Sequence, residues 1–222
     1  MSDSQFWDEQ EQVERFAARE PDRRLLALID RFADRSLTRV LDIGCAGGRN
    51  TELLAARGFD VFAIDMSAAM VQRTHERVAS VLGEEEAARR VKPGRMEDLS
   101  QFASAEFDLV VALGVFHSAT SGEQWDRALS EAGRVLAPDG LMLVAVFSPR
   151  SDPDGTGLTR IDGERHLYDG LRSGLHYLVE ADVLDADMAG RGLEPVERTD
   201  TVMVTLDRGH RVTVNGLYRK TS

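Results

Sequence analysis

The sequence predicts an α/β sandwich on a mostly parallel sheet, with an antiparallel C-terminal hairpin. Three observations carry that expectation. Short apolar runs alternate with helical-period stretches from residue 39 to 147, a glycine-bearing turn follows the first run, and two alternating segments flank a tight turn near the end.

The elements follow in chain order. Residues 6–36 (FWDEQEQVERFAA and, after Pro21, DRRLLALIDRFADRS) space apolar residues at helical intervals and predict one or two helices, so residues 1–36 are expected to form an N-terminal helical cap. Trp7 and Phe16 are open to two readings there, a lid over a pocket or ordinary packing. RVLDI at 39–43 is a short buried strand, RNTELLAAR at 49–57 a helix, DVFAID at 60–65 a second strand, and SAAMVQRTHERVASVLGEEE a second helical region. A third strand is expected at 89–94 and a fourth at FDLVVALG, 107–114. A helix at 122–137 and a strand at 141–147 follow, punctuated by Pro138, Asp139 and Gly140. Strand, helix, strand in this order implies parallel strands with crossover helices.

Beyond 147 the rhythm changes. Residues 148–177, rich in Gly, Asp and Arg in their first part, are expected to be a substrate-side insertion. ADVLDADMAGRG resembles a helix ending near Gly190 or Gly192, and TDTVMVTLD with HRVTVNGLYR reads as a hairpin turning at Asp207, Arg208 and Gly209.

A chain of 222 residues suits one sizeable core, so a single domain spanning 1–222 is expected. The formal charge of −11 argues against a nucleic-acid partner or an anionic membrane surface, both of which need excess Lys and Arg. The start, MSDSQFWDEQEQ, lacks the basic and apolar regions of a signal peptide, and no apolar run reaches membrane-spanning length, so a cytoplasmic location is expected. Cys45 is the lone cysteine, which excludes an internal disulfide and a multi-cysteine metal site. His75, His117, His166, His176 and His210 lack tight ligand spacing, and no metal is expected. Nothing in the sequence names an oligomeric partner.

The densest chemical signal is Val40 to Asn50, VLDIGCAGGRN. Low side-chain bulk after a buried strand lets backbone approach a ligand, and the next helix directs free N–H groups toward it. The same glycines also suit a purely structural turn. Ala46 and Arg49 break the dinucleotide fingerprint at two positions, which disfavours nicotinamide-dependent oxidoreduction, and the P-loop lysine is absent. An uncharged nucleoside joined to a zwitterionic group fits better.

Here the sequence resembles the class I S-adenosylmethionine-dependent methyltransferases, especially the small-molecule branch. Their first motif, D/E-x-G-x-G-x-G, is matched by Asp42-Ile43-Gly44-Cys45-Ala46-Gly47-Gly48, with Ala46 departing at the middle glycine. The resemblance runs from about residue 38 to 147 and more weakly beyond. It implies a Rossmann-like sandwich and S-adenosylmethionine as cofactor. It also implies that Gly44, Cys45, Ala46 and Gly48 line the methionyl portion, that Asp42 organises the turn and the ligand ammonium, and that Arg49 or Asn50 lies near the carboxylate. Arg49 is equally readable as a solvated residue. Asp65, ending the second strand, suits two ribose hydroxyls, its rival role being a helix N-cap. Met66 is assigned to adenine packing or to the core. The family pattern G-D-A-x-D-L corresponds to Gly94-Arg95-Met96-Glu97-Asp98-Leu99, with Arg95 in place of the acid. The backbone of Met96 is then a candidate for the adenine edge, and Glu97 or Asp98 for its amino group, or for a solvated turn. Leu113 would offer backbone to the cofactor.

On the acceptor side the resemblance places Phe116 and His117, with His117 as base or substrate-orienting group, or else as a cofactor-shell or structural hydrogen-bonding residue. Arg150, His166, Tyr168, Arg172, His176 and Tyr177 are secondary substrate candidates, and Arg150, Arg160, Arg165 and Arg172 would suit an anionic acceptor. Cys45 reads as loop packing rather than a nucleophile. The expected reaction is methyl transfer to a small acceptor. A noncatalytic S-adenosylmethionine-binding regulator and a protein methyltransferase stand as alternatives.

Overall fold

The computed structural model describes residues 3–221, so residues 1, 2 and 222 of the expected domain and of its cap lie outside the described residues. The described chain divides into two compact units, one comprising 3–95 with 106–111 and the other 96–105 with 112–221.

The first unit opens with three short helices, α1 (Asp3–Asp8), α2 (Gln10–Ala17) and α3 (Arg23–Ile29), where one or two were expected. The break before α3 follows from Pro21 and from Asp22, whose carboxylate caps the helix by accepting from Arg24 N at 2.9 Å. β1 (Arg39–Ile43), α4 (Arg49–Ala56) and β2 (Asp60–Asp65) come next, with β1 buried from Val40 onward. β1 pairs in parallel with β2, Val40 facing Val61, and also with β4 (Phe107–Leu113), Val40 facing Leu109. The second helical region is not continuous. α5 (Ala68–Leu82) stops at Gly83, whose φ of +88° leaves the helical range, and α6 (Glu84–Arg90) begins anew. Three glutamates in the first turn of α6 and Arg89 and Arg90 in its last complement the helix dipole, which extends helix into residues expected as strand. β3 is accordingly only Val91–Pro93, parallel to β2.

The second unit carries a 3₁₀ turn at Phe116–Ser118, α7 (Gly122–Val135) and β5 (Leu136–Phe147), which starts before the position predicted from Pro138-Asp139-Gly140. The segment expected as an insertion holds a small antiparallel sheet of β6 (Thr159–Arg160), β7 (Leu167–Leu171) and β8 (Gly174–Tyr177). Gly170 and Gly174, at φ +116° and +98°, make the β7–β8 reversal feasible. α8 (Ala181–Ala189) leads to β9 (Leu193–Pro195), absent from the sequence reading, and to the hairpin of β10 (Asp200–Thr205) and β11 (His210–Lys220). β11 pairs antiparallel with β5 and β9. The architecture is α/β, with a mostly parallel central sheet and an antiparallel C-terminal hairpin, as expected.

Candidate functional site

In the first unit β1 runs directly into the turn at 44–48. Gly44 and Gly48 adopt φ +70° and +80°, the left-handed conformations that favour glycine. Ala46, at φ +49°, holds the same region with a Cβ. The turn amides are used internally. Gly44 N and Cys45 N donate to Ile64 O at 2.9 and 3.0 Å, and Gly48 N donates to Cys45 O at 3.0 Å. Ala46 N donates to Asp65 Oδ2 at 2.9 Å. Three of these amides fasten the turn to the end of β2, and the fourth closes the turn on itself.

Asp65 is the centre of that fastening. Its other oxygen accepts from Ser67 N at 2.9 Å, so each carboxylate oxygen is held by a backbone amide. The helix-cap role belongs to Ser67, whose hydroxyl oxygen accepts from Met70 N at 3.1 Å and donates to Asp8 Oδ1 at 2.6 Å. Burial raises the Asp65 carboxyl above its ordinary pKa, against the pull of its backbone hydrogen bonds. Met66 is half-buried.

Asp42 is buried at 2% exposure and accepts from Thr51 Oγ1 at 2.7 Å. Burial pushes its pKa up to about 6, with Thr51 and the Arg49 charge opposing and Asp65 adding. Arg49 thus contributes electrostatically to this acid from the first turn of α4. Asn50 Oδ1 accepts from Asp22 N at 3.0 Å and ties α4 to the cap before α3. Burial, reinforced by Asp65 and Asp42, pushes the Cys45 thiol well up, so it stays protonated and donates weakly to Thr74 Oγ1 at 3.5 Å. Thr74 in turn donates to Ala46 O at 2.7 Å. The N-terminal helices close on the turn from outside: a Cβ on Gly47 would lie 2.7 Å from the Ala17 backbone, and Arg77 Nη2 donates to Ala17 O at 2.7 Å.

These features fit a zwitterionic nucleoside. A dry carboxylate held above its usual pKa gains from a ligand ammonium, and a carboxylate such as that of Asp65 accepts from hydroxyl groups.

The remaining candidates belong to the second unit. Met96 is buried, Glu97 half-buried and Asp98 exposed. Asp98 Oδ1 accepts from Ser100 N at 3.1 Å, which makes it a turn former. Leu113 is half-buried, and Gly114, at φ +90°, donates its N–H to Ala145 O at 2.9 Å. Phe116 is fully buried with its ring edge-on to Trp125.

His117 is buried, its ring stacked on Phe147 at 4.0 Å and 5.7 Å from His176, and its Nδ1 has no hydrogen-bond partner. Burial, with the His176 and Arg211 charges, holds it well below the ordinary histidine pKa, so the ring is neutral near neutrality. His176 is saturated: Nδ1 lies 2.8 Å from Gly174 O, to which it donates, and Nε2 lies 3.0 Å from Ser173 Oγ. Tyr177 stacks on Trp125 at 4.9 Å and lies 5.5 Å from His166, while Tyr168 sits opposite His176 in the β7–β8 pair. Two of the four arginines named for an anionic acceptor are engaged in ion pairs. Arg150 forms a two-pronged pair with Glu180, both bonds 3.0 Å, and Arg172 pairs with Asp154 at 3.0 Å. Sequence reasoning missed Thr51, Thr74, Ser67 and Phe147, whose roles arise from contacts between elements that no local motif announces.

A glycine turn after the first parallel strand, pinned by the acid that ends the second, defines the Rossmann-like class of nucleoside-binding α/β proteins. Residues 41–144 match the methyltransferase domain family. That match spans a little under half of the chain, which also shares the fold of solved S-adenosylmethionine-dependent methyltransferases. The chain is similar to the ubiquinone biosynthesis O-methyltransferase of Caulobacter sp. strain K31, 34% identical over 50% of this chain and 41% of the relative. The protein of the same name from Azorhizobium caulinodans is 30% identical over 72% of this chain and 60% of its own length. The chain therefore spans only part of the length of these curated relatives. Among solved structures, the Burkholderia thailandensis 1,6-didemethyltoxoflavin-N1-methyltransferase, which contains S-adenosylhomocysteine, superposes with a TM-score of 0.65 at 23% identity, over 90% of this chain and 78% of that one.

Proposed function

We propose that the chain acts as one methyltransferase domain, expected over 1–222, and transfers a methyl group from S-adenosylmethionine to a hydroxyl oxygen of a small molecule. The observation that carries the cofactor reading is the coupling of the glycine turn to Asp65, beside a buried Asp42 held at a pKa of about 6. The names of the O-methyltransferase relatives support an oxygen acceptor. When bound, the cofactor supplies a sulfonium methyl, whose carbon–sulfur bond breaks as the new oxygen–carbon bond forms.

Asp42 attracts the ligand ammonium, and Asp65 accepts from the ribose hydroxyls while keeping Ala46 in place. Gly44, Cys45, Ala46 and Gly48 shape the cradle, with Arg49 offsetting the carboxylate. Met66, Met96 and Leu113 line the cofactor, and Glu97 is the better of the two acids for the adenine amino group, since Asp98 is exposed and used by Ser100. His117 receives the acceptor hydroxyl at its unpartnered Nδ1 and takes the proton as the sulfonium charge disappears. Phe116 packs behind it, and Tyr168, His166 and Tyr177 supply acceptor contacts. Arg150 and Arg172, already paired, and His176, already saturated, serve as scaffold. The cytoplasmic location expected from sequence belongs to this proposal, and no helix among the described residues is long and apolar enough to cross a membrane.

The test supplies methyl-labelled S-adenosylmethionine with a panel of hydroxylated small molecules and follows labelled product and S-adenosylhomocysteine by mass spectrometry. The two should form in equal amounts. His117→Phe, which preserves ring stacking on Phe147, should cut kcat by about a hundredfold or more with cofactor affinity unchanged. Cofactor binding without product across hydroxyl, amine and thiol acceptors would favour the noncatalytic regulator, and undiminished turnover in His117→Phe would remove its role.

A further inference from the structure

The edge strand β10 is unprotected in a way that points to a specific partner. It closes one end of its sheet and pairs, among the described residues, only with β11. Val202, Met203 and Val204 are 41%, 67% and 41% exposed, three consecutive apolar residues in water. Edge strands usually carry a lysine, a proline or a bulge that prevents pairing. Residues 201–206, TVMVTL, contain no charge and no proline, and the register with β11 is unbroken from Asp200 to Thr205.

The backbone sets which groups are free. Leu206 N donates to Gly209 O at 2.8 Å at the hairpin turn, so alternate residues Val204, Val202 and Asp200 exchange bonds with β11. Thr201, Met203 and Thr205 therefore direct their N–H and C=O groups away from β11. These three positions are centred on Met203, and so is the sequence: Thr201-Val202-Met203-Val204-Thr205 reads the same in both directions.

We propose that β10 pairs antiparallel with β10 of a second copy of this chain, on a two-fold axis through Met203. In that register Met203 faces Met203 of the partner subunit, Val202 faces Val204 of the partner subunit, and Thr201 faces Thr205 of the partner subunit. Every outward amide meets an outward carbonyl, and each cross-strand pair joins like with like in combinations that stabilise sheets. A strand from an unrelated protein would satisfy the amides but would gain nothing from the palindrome.

The measurement is sedimentation equilibrium of the full chain over a wide concentration range. A reversible monomer–dimer equilibrium that ends at two chains is expected. Met203→Pro removes an outward N–H and no bond to β11, and should weaken the dimer about tenfold or more. Met203→Lys, checked for an unchanged circular dichroism spectrum, should do the same if the proline variant fails to fold, while Val81→Lys, on an exposed site of α5, should leave the dimer intact. A monomer at every concentration, a dimer indifferent to Met203→Lys, or growth without a limit at two chains would each overturn the proposal.

Discussion

Ala46 carries a cost that a glycine would not. With φ at +49° its Cβ crowds the backbone, while its N–H and C=O are both fixed, by Asp65 and Thr74. Ala46→Gly should therefore raise stability by about 0.5–1 kcal/mol, read from urea unfolding, because relief of the left-handed strain exceeds the added freedom of the unfolded chain. An unchanged or lower midpoint would mean that the alanine is not strained. Asp65 and Asp98 give a sharper contrast. The sequence offered both as cofactor acids, but one is fastened to the turn and the other is exposed and serves Ser100. Calorimetric titration with S-adenosylhomocysteine should show Asp65→Asn weakening binding about tenfold or more and Asp98→Asn leaving it within about twofold. Equal losses would erase the distinction.

At the scale of elements, the cap packs directly on the glycine turn, since the Ala17 backbone occupies the space a Cβ on Gly47 would need. Gly47→Ala must push α2 away or distort the turn, which should cost about 1–3 kcal/mol and accelerate amide exchange in α2 before the strands exchange. Exchange rising uniformly, with α2 no more affected than β1, would show that the cap is not the yielding element. How far the sequence disclosed such relations follows from their range. β1, β2 and β4 were legible because buried parallel strands are short apolar runs, and the turn was legible because glycine marks positive φ. Gly83 was visible as a residue but not as the end of α5, since the helical pattern resumes at once beyond it. The small sheet at 159–177 hid among loop-forming residues, its strands too short for alternation to register. Asn50 bonding to Asp22, and Ser67 to Asp8, span 28 and 59 residues, and no local pattern encodes them.

For the whole molecule, Asp42 and His117 tilt stability with pH in opposite directions. Burial raises Asp42 from 3.8 to about 6, so its contribution is fully present below about pH 4 and is lost as the pH rises through about 6. Burial lowers His117, so its contribution is present above the ordinary histidine value of 6.5 and is lost as the pH falls toward its folded pKa. At neutral pH the free protein thus carries the cost of an ionised, buried Asp42, about 3 kcal/mol from the size of the shift. Asp42→Asn keeps an acceptor for Thr51 and removes that cost. The variant should be the more stable form near pH 7.5, with its advantage shrinking by about 2 kcal/mol at about pH 4.5, as read from urea midpoints at the two values. Cofactor should reverse the order, because the ammonium of S-adenosylmethionine stabilises the wild-type carboxylate and finds no charge in the variant. The wild type should then gain more thermal protection from the ligand, and its affinity should fall as the pH drops through about 6. An advantage independent of pH, or equal protection of both proteins by the ligand, would show that Asp42 serves the turn alone and not the ligand ammonium.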